Sequence, residues 1–80
     1  MTHNKETLYK ILSEVFEISA TEINGAMTQE ETDSWDSLNT VRMIVDIENV
    51  FSIRFDLDDI SMIKNVSDIV GLLRSNGIEI

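Results

Sequence analysis

The sequence predicts an all-α domain, a small four-helix bundle with three long helices and one short one, read as a single domain over residues 1–80. Three observations lead there. Apolar residues recur at the spacing of one helix face in three separate segments. The chain has no proline, and no repeat, low-complexity tract or linker interrupts it. Eighty residues bury only roughly 60–65% of the surface that the unfolded chain exposes, which leaves room for one core and little for a deep, walled-off active site.

The first helix is expected at about residues 4 to 17. Leu8, Ile11, Leu12, Val15 and Phe16 line one face there, and Lys5, Lys10, Glu14 and Glu17 lie away from it. From Ser19 to Asp36 the pattern fades into polar residues, broken by Ile23, Ala26 and Met27, so this stretch reads as one long loop of a length that is commonly functional. Periodicity returns in a second helix from Ser37 to about Phe51, whose apolar positions cover more circumference than one buried face requires. Leu38, Val41 and Val45 form one stripe, and Met43, Ile44, Ile47 and Phe51 another. One stripe should meet the core and the other a partner.

Ile53 and Phe55 anchor the next connection. A brief helical turn is expected from Asp58 to Met62, with Asp58 as its cap and Ile60 and Ile63 turned inward. In the last helix Asn65 is the cap, Asp68 stands three residues on, and Val66, Ile69, Val70 and Leu73 repeat at helical spacing until Asn76-Gly77 stops it.

Composition excludes several functions. There is no cysteine, hence no disulfide, no thiolate nucleophile and no zinc site of the usual sulfur type. One histidine, the third residue of the sequence, cannot found a catalytic pair, and no run approaches the ~18 apolar residues of a membrane span. Without a signal-peptide pattern at its start, the chain is expected to be cytoplasmic and monomeric. The net charge is −9, and between Glu30 and Asp59 nine acids face two bases. Such a surface suits a basic protein and not nucleic acid, whose phosphates draw on lysine and arginine. The run Asp56-Leu57-Asp58-Asp59 lacks the glycine and distal glutamate of a calcium loop, and no metal site is expected.

Ser37 stands out, in Trp35-Asp36-Ser37-Leu38, where the acidic loop turns into the second helix. Unpaired N–H groups and the positive end of the dipole make a helix start a favourable place for a phosphate. Ordinary capping chemistry would leave the same trace. A serine hydrolase is excluded, because neither a base nor a third group accompanies Ser37.

The context resembles the acyl carrier protein family. Asp36-Ser37-Leu38 matches the family's Asp-Ser-Leu attachment motif, placed at mid-chain after a helix and a long loop, and followed by Val41, Ile47, Glu48 and Phe51 at the family's intervals. Ile23, Phe55, Ile60, Ile63 and the Val66 to Leu73 stripe extend the resemblance over about residues 5 to 75. It implies covalent 4′-phosphopantetheine on Ser37, transferred from coenzyme A by a magnesium-dependent phosphopantetheinyl transferase, with Asp36 helping to hold Mg²⁺. It also implies a protein that is not an enzyme but hands an acyl thioester to acyl-loading and acyl-transferring enzymes. The partner surface is assigned to Leu38, Val41, Arg42, Val45, Glu48 and Ile63. The cofactor's thiol would account for the missing cysteine.

Departures from the family's commoner patterns point to a free-standing carrier of a specialised pathway. Asp33-Ser34-Trp35 replaces the Leu-Gly-Ala-like lead-in of many fatty-acid carriers, and the Gly-Gly pair of peptidyl carriers is absent. Arg42 occupies a position that resembles an acidic one, and Asn49 also dilutes the acid there. Gln29 and Asp33 replace apolar loop residues, which leaves Trp35 or Met27 to anchor the loop. Two alternatives remain at this stage: an acidic helical interaction module with Ser37 as a cap only, and the general carrier of fatty-acid synthesis.

Overall fold

The computed structural model describes residues 3–80, all of them outside any strand and most of them helical. Its elements are α1 (Asn4–Phe16), a 3₁₀ turn (Ala20–Glu22), α2 (Ser37–Phe51), α3 (Leu57–Ser61) and α4 (Val66–Ser75). Each long helix contributes one apolar stripe to a single core. Leu8, Leu12 and Phe16 of α1 interlock there with Met43 and Ile47 of α2, and Val66, Ile69 and Leu73 of α4 close it. Among the described residues no polar or charged side chain is buried.

Both α1 and α2 end without glycine. Glu17 (φ 56°) and Ser52 (φ 55°) adopt the left-handed conformation, and two successive N–H groups then close on one carbonyl, Ser13 O for the first helix and Glu48 O for the second. A side chain in this region costs roughly 1–2 kcal/mol, partly offset by the lower entropy of a non-glycine residue in the unfolded chain. Ser52→Gly is therefore expected to raise the unfolding free energy by up to about 1 kcal/mol in urea titrations.

The two remaining helices start with reciprocal caps. In α4 the Asp68 N–H donates to Asn65 Oδ1 at 2.8 Å, and Asp68 Oδ2 accepts from the N–H of Asn65 and Lys64. In α3 the cap is Asp56 and not Asp58, and the helix begins one residue earlier than expected. The reason is geometric: Asp59 stands three residues after Asp56, so Asp56 Oδ1 takes the Asp59 N–H at 2.8 Å while Asp59 Oδ2 reaches back to the Asp56 N–H. Two acids of the run, Asp56 and Asp59, thus have a structural task as the cap of this helix.

The stretch from Ser19 to Asp36 is not the featureless loop that its composition suggests. Asn24 Oδ1 accepts the Ala26 N–H, and the Thr28 hydroxyl and carbonyl hold Glu31 and Thr32. Residues 25–29 are also zipped to the start of α4. Gln29 N–H donates to Lys64 O, Val66 N–H donates to Met27 O, and both the N–H and the hydroxyl of Ser67 donate to Gly25 O. The approach at Gly25 is so close that a Cβ there would lie 2.8 Å from Ser67 Oγ.

Apart from the exposed His3–Glu6 pair, no acid among the described residues forms an ion pair. Among the described residues the excess negative charge is thus not offset by close cations, which leaves it open to screening by salt. Moving from low salt to several hundred millimolar, or adding millimolar Mg²⁺ or Ca²⁺, is expected to stabilise the fold by ~1 kcal/mol, which raises Tm by about 5 °C in a domain of this size. A calorimetric melting series checks this, and a flat or falling Tm would show that the acids are too dispersed to repel one another.

Candidate functional site

The loop delivers the site through Trp35. Its side chain is 2% exposed and stacks on Phe16 with ring centroids 5.1 Å apart, and the Trp35 backbone N–H donates to Thr32 O. Trp35 is therefore the loop's anchor, with Met27 only half-buried beside it. The next residue, Asp36, leaves the loop in extended conformation and caps α2: its Oδ1 accepts the Asn39 N–H at 2.8 Å, and its carbonyl accepts both the N–H and the hydroxyl of Thr40. Asn39 Nδ2 donates in turn to Ser34 O at 2.7 Å, so the first turn of α2 is tied to the loop on both sides of the tryptophan.

Ser37 is the first residue of this turn. It is exposed, and among the described residues its hydroxyl has no hydrogen-bond partner. The Ser37 and Leu38 N–H groups are likewise unpaired, because they belong to the opening turn and the cap satisfies only Asn39. A fixed, accessible hydroxyl, two free N–H donors and the positive end of a fifteen-residue helix fit a phosphate ester formed on that oxygen. Other serines are differently placed. Ser13, Ser61, Ser67 and Ser75 spend their hydroxyls on carbonyls, and Ser19 shares its hydroxyl with Thr21.

The structure divides the α2 stripes as the pattern requires. Met43, Ile44 and Ile47 are buried, whereas Leu38, Val41 and Val45 are 67%, 60% and 47% exposed. Arg42 is exposed on the same side. Glu48 is half-buried and its Oε2 accepts the Phe55 N–H at 2.8 Å, so it also fixes the connection after α2. Ile63 does not belong to the free surface. It is 4% exposed, because the turn after α3 points it into the core, and its assignment to the partner face is corrected. The sequence reading missed Leu57 and Met62, which are 83% and 69% exposed around α3. Five helical residues are too few for a period to reveal which side faces out.

The site is thus an exposed, unpartnered serine at the start of the second helix of an all-helical domain. The family model described as the phosphopantetheine attachment site matches residues 6–73. The chain belongs to that family, consistent with an acyl carrier protein, and its domain is a site of covalent 4′-phosphopantetheine attachment. Comparison with curated proteins gives no significant match. No helix among the described residues is long and apolar enough to cross a membrane.

Proposed function

We propose that Ser37 is the attachment residue, and that the chain is a single-domain, monomeric acyl carrier of the cytoplasm, serving a specialised biosynthetic pathway. The observation that carries this reading is the uncommitted Ser37 hydroxyl at the first position of α2, inside the matched region. When attached, the prosthetic group supplies a flexible arm whose terminal thiol holds the acyl cargo as a thioester. What the chain adds is position. The Asp36 cap and the buried Trp35 hold the Ser37 oxygen outward at a rigid helix end, where a transferase can reach it without unfolding the loop.

Asp36 contributes a second property. Only its Oδ1 is engaged by the cap, so Oδ2 is available to a cation shared with an incoming phosphate during transfer. The specialised-pathway part of the proposal rests on the Asp33-Ser34-Trp35 lead-in and on Arg42. Incubation of the purified chain with coenzyme A and a broad-specificity phosphopantetheinyl transferase tests the attachment. Intact-mass spectrometry should show one added phosphopantetheine, located by peptide mapping at Ser37.

A further inference from the structure

We infer that Arg42, supported by Arg54, makes the exposed face of α2 selective for a partner enzyme that presents a carboxylate at this point, and disfavours enzymes that dock through a uniformly basic patch. This rests on Ser37 as the attachment residue, since any enzyme working on the tethered group must approach beside it.

Position comes first. Arg42 lies four residues after Leu38 and three before Val45, so it shares their face of the helix and is flanked by exposed apolar side chains. Arg54 continues the surface, lining an open groove with Val45, Glu48 and Asn49 at the far end of α2. Neither guanidinium forms an ion pair among the described residues. Asp46, four residues after Arg42, does not supply one, and an arginine preceding its acid is the weaker order along a helix.

Several of the surrounding acids accept backbone N–H groups within the chain, which fixes their position and leaves their charge in place. Asp36 caps α2, Glu48 holds the Phe55 N–H, and Asp56 with Asp59 forms the capping box of α3. Asp46 and Asp58 remain free, so the surface carries both signs and a partner must answer both. A cation set among apolar contacts loses water on docking and is costly unless a carboxylate meets it. Guanidinium and carboxylate pair through two parallel hydrogen bonds, which turns this requirement into a geometric filter.

The test uses the full chain, with Arg42→Glu, Arg54→Glu and, as a control of equal charge change, Lys5→Glu. Lys5 sits at the other end of α1 from Phe16, roughly 16 Å along the axis at a rise of about 1.5 Å per residue. With a phosphopantetheinyl transferase as the probe, kcat/KM is measured at low and high salt. Arg42→Glu should raise it about three- to tenfold at low salt, Arg54→Glu less, and Lys5→Glu under twofold, with the gains shrinking as salt rises. Single Lys→Glu and Arg→Glu variants around the transferase's active site should include at least one that reverses the order and favours the parent chain over Arg42→Glu. Equal effects of Arg42→Glu and Lys5→Glu, or no reversal by any transferase variant, overturn the inference and leave Ser37 attachment intact. No uptake by any chain overturns the attachment itself. Circular dichroism confirms that each variant is folded.

Discussion

Ser37→Ala is expected to take up no phosphopantetheine while keeping the far-ultraviolet circular dichroism and melting temperature of the parent. Loss of uptake should be complete because, among the described residues, only that oxygen combines exposure, a free hydroxyl and the positive end of a long helix. Ser52, the obvious competitor, sits in a left-handed cap at the opposite end of α2, where unpaired carbonyls repel a phosphate. Ser34 precedes the buried tryptophan and is half-buried itself. Stability is retained because the Ser37 side chain makes no hydrogen bond, the Asp36 cap is untouched, and alanine is the best helix former. The expected change in unfolding free energy is within about 0.5 kcal/mol. Mass spectrometry after incubation with coenzyme A and transferase gives the first result, and thermal melting the second. A modified alanine protein would move the attachment to another residue.

How much of this was legible in the sequence depends on the range of the interactions. The Ser37–Phe51 helix was readable in full, because its cap and its apolar spacing are local and agree. The first helix ended one residue short of the expected limit, since Glu17 takes up the left-handed cap with no glycine to announce it. In the acidic run, Asp56 and Asp58 are equally good caps by residue type, and only the reciprocal contact with Asp59 decides between them. The loop was illegible for another reason. Its order comes from Gly25, Met27 and Gln29 pairing with residues 64 to 67, a separation that no period in the sequence encodes. The free position of Ser37 at a helix start was legible because the Asp36 cap before it is a local signature, whereas Ile63 was misplaced because a partner face is a property of the packed surface.

Trp35→Ala is expected to cost about 3–5 kcal/mol, comparable to much of the stability of a domain this small. The indole is buried in the core and stacks on Phe16, with ring planes 28° apart, so truncation leaves a large cavity beside the end of α1 and loosens the loop that carries Asp36. Trp35→Phe should behave very differently. The indole Nε1 is buried without a hydrogen-bond partner, and an orphaned donor of that kind carries a desolvation penalty of roughly 1–3 kcal/mol. Phenylalanine removes the donor along with part of the apolar area, and the two changes oppose each other, so the net effect should stay within about 1 kcal/mol. Urea unfolding followed by circular dichroism separates the two variants. Cofactor uptake should follow the same order, slowed in Trp35→Ala by the loosened helix start and nearly normal in Trp35→Phe. Equal stability of the two would mean that the loop is held by its zipper to α4 and not by the tryptophan.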